Sequence, residues 1–436
     1  MLPQTLKYTG KVESAPAQSY RTNIQPQNGT GPYTSSNTII LNIPTANNLV
    51  LCPTESYLKF KLTLNNTSTF RFDSCGAHGL IQRLRIFHGS NLLQDIDNYG
   101  LLLAKMLFAL QVPDDANKGK YNILNGNRAD INTTSGTTIF SGDGGLTTSF
   151  TNRYFALNLV SILGTLCSSQ YLPLFAMTSA PLRMELQLVA SANQALCDLS
   201  GNITYQMDQV EYVGNFIKLS DSAMEMIHGS LSGSPIQIAL PDWSNYQYTY
   251  ALTNNTSTQV NMAIPAKYSS LKSIFVTVRQ NTGAQGFFPF SSTAQGLTSY
   301  FFRIGSQILP SKNPDNYAEM FAEVVKALGS MSDILYTPTI SFATYFNSAS
   351  AHLDTQITTV ANMATTNSGN FCIGIDLENY VNAPKSTIFA GYNSNTDDIF
   401  VVMNHTGVQT GTVRYDAYAC FDSVLVFENN TCYRKF

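Results

Sequence analysis

The sequence predicts an all-β protein built as two antiparallel sandwiches in tandem, each with an inserted helix and long surface loops. Three observations predict it. The chain repeats itself at half its length, its apolar residues alternate in many short runs, and turn residues rather than repeated helices separate those runs.

The repeat is the firmest of the three. Leu84-Arg85-Ile86, Asp97-Asn98-Tyr99, Ala104 and Ala109-Leu110 recur as Phe302-Arg303-Ile304, Asp315-Asn316-Tyr317, Ala322 and Ala327-Leu328, all at one offset of 218 residues. Looser landmarks recur at offsets between 214 and 221. Ile43-Pro44 answers to Ile264-Pro265, Leu58, Phe60 and Leu62 to Ile274, Val276 and Val278, Phe155 to Phe371, and Asp208 to Asp422.

Residues 1–36, rich in Gln, Ser and Asn and broken by Pro26, Gly29, Gly31 and Pro32, read as an extended N-terminal arm outside both sandwiches. Strands follow at Thr38–Ile43 and Tyr57–Leu64, where Leu58, Phe60, Leu62 and Leu64 alternate with Lys59, Lys61 and Thr63. After Leu80–Phe87, Asp97 or Asn98 is placed to cap a helix over Tyr99–Leu110, which presents Leu102, Met106 and Leu110 and ends before Pro113. Residues 111–152 form a polar loop with room for one hairpin, and strands return at Tyr154–Val160, Tyr171–Met177, Leu182–Val189 and Ile203–Val213.

The first sandwich thus covers 37–219. A linker over 220–235 carries a short helix from Ala223 to His228, the second sandwich covers 236–428, and 429–436 is a C-terminal tail. The second half repeats the pattern with a helix at Tyr317–Leu328 and a long polar connection at 329–370.

Composition narrows the function. Charged residues are only 12% of the 436-residue chain against 44% hydrophobic, so the surface is polar but mostly uncharged. A net charge of -3 gives no electrostatic basis for direct nucleic-acid binding. The N-terminus lacks the pattern of a secretory signal, and the longest apolar stretch, Tyr99 to Val112, is interrupted by Lys105 and too short to cross a membrane. Seven scattered cysteines without CxxC spacing read as free thiols.

Catalytic and metal motifs are missing. His78, His88, His228, His352 and His405 include no pair at helical spacing, Ser141–Gly145 carries a single carboxylate, and neither a P-loop nor a GxSxG elbow occurs. The recurring Asp97/Asp315 and Asp208/Asp422 occupy helix starts or strand edges, where a capping or turn role common to both halves outweighs a duplicated active site. Tyr99 and Tyr317 should lay their rings on the sandwich, and Trp243 should anchor against the core or a neighbouring subunit. No catalytic, cofactor or metal site is expected. The positions singled out are structural repeats: Arg85, Asp97, Asn98, Tyr99, Asp208, Arg303, Asp315, Asn316, Tyr317 and Asp422.

Eight-stranded sandwiches of this kind are jelly rolls, and two in tandem resemble a double-jelly-roll major capsid protein. That lineage spans adenovirus, tailless membrane-containing phages, virophages, polinton-like viruses and nucleocytoplasmic large DNA viruses. In style the chain is most similar to the polinton-like and virophage members, through Tyr300–Ser306 and Ile308-Leu309-Pro310, and the resemblance covers about 37 to 428. It implies a structural capsid subunit, not an enzyme, forming homotrimers that tile an icosahedral virion. Its partners would be other copies of itself, penton and minor or cement capsid proteins, and in some members an internal membrane. The arm would lie on the inner side of the shell and the long loops would project outward. A tandem-jelly-roll glycan-binding protein or glycan amidase is the alternative, and would carry an acidic, aromatic-lined cleft confined to one half.

Overall fold

The structure is a computed structural model. It describes residues 17–29, 31–65, 70–126, 131–132, 139–140, 149–167, 170–199, 201, 203–231, 233–253, 257–280, 285–329, 331–332, 335–359, 362–363, 366, 368–379, 389–407 and 410–436.

The first half is built from β1 (Ala17–Ile24), β2 (Thr38–Ile43), β3 (Leu49–Asn65), β4 (Ile81–His88), β5 (Asn91–Asp97), β6 (Ser149–Leu157), β7 (Leu182–Leu188) and β8 (Thr204–Leu219). They form two sheets in the orders β1-β8-β3-β6 and β2-β7-β4-β5. The second half is built from β9 (Ile236–Leu252), β10 (Thr258–Ile264), β11 (Leu271–Gln280), β12 (Leu297–Ile304), β13 (Gln307–Leu309), β14 (Cys372–Asp376), β15 (Ile399–His405) and β16 (Gly411–Glu428), with β17 (Thr431–Lys435) after them. Its sheets run β9-β16-β11-β14, with β17 on β16, and β10-β15-β12-β13. Adding eight to each strand number of the first half gives the second. Every pairing within these sheets is antiparallel.

Alternation explains the layers. On β3, Leu58, Phe60, Leu62 and Leu64 are buried while Lys59, Lys61 and Thr63 stay partly exposed, and β7 alternates likewise from Leu182 to Leu188. The inward faces of both halves merge into one continuous apolar core.

Three boundaries differ from the sequence expectation. Residues 17–24 of the expected arm are β1, paired with β8 from Ala17↔Leu219 to Ile24↔Tyr212, so the first sandwich begins before residue 37. Ala17 to Arg21 are all exposed, so main-chain hydrogen bonds hold this edge strand and no buried face marks it in the sequence. Tyr33 is buried and bridges to Met207, while residues 1–16 lie outside the described residues. At the other end, the expected tail folds back as β17 and buries Cys432. Between Tyr171 and Met177 the chain makes a 3-10 turn, Leu174–Ala176, and Leu172 a single bridge to Leu51, in place of a strand.

The two repeated helices also diverge. The second runs as an α-helix over Tyr317–Ala327, with the Asn316 side chain accepting from Glu319 N. The first makes one α turn, Tyr99–Leu102, and then a π-helix, Leu103–Ala109. Neither Asp97 nor Asn98 caps it with a side chain, and Asn98 takes the left-handed conformation at φ 46°. The linker helix spans Asp221–Leu231 and buries Met224.

Much of the expected loop 111–152 lies outside the described residues, which include one short pairing there, Ile131–Asn132 with Ile139–Phe140. The connection 329–370 is not purely surface. Its helix Phe342–Ser350, closed by a Ser341/Thr344 capping box, buries Tyr345 and Ala349, and Met363 is buried further on.

Candidate functional site at the seam between the halves

Buried polar side chains gather at the seam where the two sandwiches meet. Phe290 of the second half slots between Gly79 and Gly100 of the first. A Cβ at either glycine would stand 2.9 and 2.8 Å from that ring, so side chains there would push the halves apart. Around this contact lie three buried polar clusters.

The first centres on Asp416 of β16, which is wholly buried. Arg279 Nε donates to its Oδ2 at 2.8 Å, and Arg414 Nε and Nη2 donate to Oδ1 at 3.2 and 3.1 Å. Across the seam, Asn98 Nδ2 donates to Asp416 Oδ1 at 3.3 Å and to Asn245 Oδ1 at 2.8 Å, and the Tyr418 hydroxyl donates to the Asn98 carbonyl at 3.0 Å. Two guanidiniums on one carboxylate satisfy a charge that burial alone would make very costly. Both arginines border a cleft of about 280 Å³ shared by the two halves.

The second cluster ties in the C-terminal strand. Buried Asp242 on β9 accepts from Gln94 Nε2 of β5 at 2.8 Å and from Arg434 Nη1 of β17 at 2.6 Å, while Gln94 Oε1 accepts from Ile162 N. Burial raises the Asp242 carboxyl and the Arg434 charge opposes that rise. Nearby, Cys432 N donates to His88 Nδ1 at 3.1 Å and the other ring nitrogen faces the Met177 carbonyl at 3.0 Å, an arrangement that fits a neutral imidazole protonated on Nε2.

The third cluster holds Lys105, buried on the π-helix, whose Nζ donates to the Gly369 carbonyl and to Asn370 Oδ1 at 2.7 Å. Asp73 Oδ2 accepts from Phe290 N at 2.9 Å and Ser368 Oγ at 3.4 Å, and Arg71 donates to the carbonyls of Met363 and Thr366. Burial brings the Lys105 ammonium down to about 8, against the fields of Asp73 and Asp354.

Among the described residues no three His, Cys, Asp or Glu side chains are grouped to hold a metal ion, and no helix is long and apolar enough to cross a membrane. The chemistry of the seam is cohesion.

The sequence matches no family model and no curated protein. Its likeness is to solved structures. Over 99% of both chains it superposes on PBCV-1 VP54, fitted into a reconstruction of the virophage Sputnik, at TM-score 0.61 and 9% identity. The mavirus major capsid protein matches over 100% of this chain and 95% of its own at TM-score 0.58 and 11% identity, and the Faustovirus major capsid protein over 97% and 92% at 0.61 and 9%. The fold is the double jelly roll. The seam is therefore the junction of two jelly rolls, and the repeated positions can be located on it.

Of the residues singled out from the sequence, Asn98 is the one at the centre of the junction. Asp97 accepts from Asn98 N at 2.8 Å and lies 3.5 Å from Gln247 Nε2, and the Tyr99 hydroxyl, buried beneath, accepts from Val160 N at 2.8 Å. Their counterparts face away from it: Asp315 and Asn316 are exposed, and Tyr317 meets Phe371 edge-on at 6.2 Å. Arg85 pairs with Glu185 at 2.9 Å, whereas Arg303 lies 4.7 Å from the Phe400 ring centroid. Asp208 lies 4.0 Å from Lys61, and Asp422 accepts from Ser270 Oγ at 2.6 Å.

Strand register revises two pairings. Phe155 sits opposite Phe60 and Ile373 opposite Val276, so with Phe60 matched to Val276 in the repeat Phe155 is level with Ile373, not with Phe371. Asp208 sits opposite Lys61 and Asp416 opposite Thr277. Since Leu62 and Val278 are counterparts in the repeat, Asp208 is level with Asp416, not with Asp422. Asp416, Arg279, Arg414, Asp242, Gln94 and Asn370 were not singled out from the sequence, because, apart from the Arg414–Asp416 pair two residues apart, their partners lie far away along the chain. Only Lys105 left a signal, as the lone charge inside the apolar run Tyr99–Val112.

Proposed function

We propose that this chain is the major structural subunit of an icosahedral viral shell, a protein whose output is geometry and not catalysis. The observation that carries this reading is the likeness of the whole chain, both jelly rolls together, to major capsid proteins. The seam supports it. Within the chain, edge strand β5 and its hairpin meet β9 of the other half, a head-to-tail contact between unlike surfaces of two similar blocks. The corresponding surfaces, the β12–β13 hairpin with Ile308 half exposed and the outer edge of β1, pair with no further strand among the described residues. Repeating the contact between copies closes a ring of six similar blocks from three chains. Trp243 packs against Phe275, with ring centroids 6.0 Å apart, which leaves no support for a sugar-stacking role.

On this reading the partners are other copies, then penton and cement proteins and, where the virion has one, an internal membrane. The protein belongs to the virion, and its connections 111–152 and 329–370 supply outer surface. Sedimentation or mass photometry at low and at high salt tests it. Trimers should persist in both, because buried contacts are little screened. A stable monomer in both would overturn the proposal.

A further inference from the structure

Lys105 is hard to explain as a stabilising residue. It is the only charged side chain between Tyr99 and Leu110, it is buried, and the acceptors that its ammonium meets, the Gly369 carbonyl and Asn370 Oδ1, are both neutral. A buried charge on neutral acceptors is costly, and an apolar residue of similar length would pack there without that cost. The helix that carries it is π-helical over Leu103–Ala109, a geometry that recurs at functional sites.

We propose that Lys105 and Asn370 join spontaneously in an isopeptide bond that covalently ties the two jelly rolls together. With Nζ 2.7 Å from Oδ1, and that oxygen one carbonyl bond length (about 1.2 Å) from the amide carbon, the two groups are already in contact, and a rotation of the Asn370 amide about its χ2 bond turns Cγ toward the amine for attack. The neutral amine adds to Cγ, the Nζ–Cγ bond forms, the Cγ–Nδ2 bond breaks, and the Asn370 side-chain nitrogen leaves as ammonia. One proton must pass from the attacking nitrogen to the departing one, so none is consumed. No oxidant, metal or cofactor enters.

The surroundings suit this reaction. Burial lowers Lys105 to about 8, so a usable fraction is already the nucleophilic amine near neutral pH. Asp354 is the carboxyl assigned to favour the attack electrostatically. It accepts from Ser291 Oγ at 2.6 Å, Ser291 Oγ in turn accepts from Gly369 N at 2.8 Å, burial pushes it up to about 6, and its negative field acts on Lys105, where it favours the positive charge that attack builds on the nitrogen. Asp73, on the same segment through Ser368, adds a second negative field. Forming the amide also removes the buried charge, so the product is relieved of the cost that the reactant carries.

Mass spectrometry of the purified full-length chain decides the matter. The expected intact mass is lower than the sequence mass by one ammonia. After denaturation and trypsin digestion, residues 86–118 and 327–385 should appear as one branched peptide with Lys105 uncleaved. Lys105→Met and Asn370→Ala should each run at full mass, and Asp354→Asn should slow the loss of ammonia at least tenfold when followed from fresh synthesis. The wild-type digest stands by itself if a variant fails to fold. A wild-type chain that keeps its full mass and yields only linear peptides, even after prolonged incubation at mildly alkaline pH, overturns the proposal.

Discussion

Asp97-Asn98-Tyr99 and Asp315-Asn316-Tyr317 are the same three residues, recurring 218 positions apart in the two halves of the sequence, and they do different work. In the first jelly roll Asn98 is buried at φ 46°, spending its side chain on Gln82, Asn245 and Asp416. In the second, Asn316 is extended at φ −140° and caps its helix through Glu319 N. Tyr99 is buried, whereas Tyr317 is only partly so. What differs is the neighbour. Asn98 faces the other half across the seam and Asn316 is exposed, so the same residue type takes the role that its contacts give it.

That contrast can be broken most sharply at Asp416 and Asp208, which strand register places level in the two halves. Asp416→Ala strands Arg279 and Arg414 inside the seam and should cost about 3–5 kcal/mol. Asp208 is a quarter exposed and 4.0 Å from Lys61, so Asp208→Ala should cost less than about 1 kcal/mol. Urea denaturation at one fixed protein concentration measures both. Similar losses at the two sites would show that the seam confers no special weight on Asp416.

What the sequence revealed follows from the range of each interaction. Period-two alternation is local, so β3 and β7 could be read directly, and the repeat showed that the second half follows the same order. β1 could not be read, because an edge strand exposed from Ala17 to Arg21 carries no apolar period. The π-helix was hidden because Leu102, Met106 and Leu110, four apart, suit an α-helical face and are buried in either geometry. The seam was invisible for a different reason. Asn98 meets Asp416 across 318 residues and Lys105 meets Asn370 across 265, and no local pattern encodes such pairs.

A second test compares the two asparagines. Asn98→Ala removes several buried hydrogen bonds and leaves their partners unsatisfied, for a loss of about 2–3 kcal/mol. Asn316→Ala removes one exposed cap, worth about 1 kcal/mol. Rescue separates the roles further. Asn316→Ser should restore most of the cap, whereas Asn98→Gly, which tolerates the left-handed backbone, should recover only the strain and none of the seam bonds. Thermal unfolding of the four variants checks this, and full rescue by Asn98→Gly would place the role of Asn98 in its backbone alone.

The smallest contrast is at the two arginines of the repeated strand, and it concerns salt more than size. Arg85 on β4 pairs with Glu185 of the adjacent β7, and Glu185 is shared with Arg183 at 3.1 Å, so Arg85→Ala leaves the carboxylate with a partner. Arg303 occupies the matching position on β12, but the residue opposite it on β15 is Phe400, and its guanidinium lies 4.7 Å from that ring. Either truncation should cost about 0.5 kcal/mol. Their ionic-strength dependence should differ. Arg85 also lies 5.9 Å from the Phe87 ring centroid, a looser contact than that of Arg303, so its loss is mainly that of a partly exposed ion pair and should largely fade in molar salt, where the screening length falls to about 3 Å. The Arg303 loss includes contact between its planar face and an aromatic ring, which salt screens less, so it should persist. Denaturation of both variants in dilute and in molar salt reads the difference directly. If both losses fade alike, Arg303 acts as an ordinary surface charge, and the divergence of the two halves does not extend to this strand.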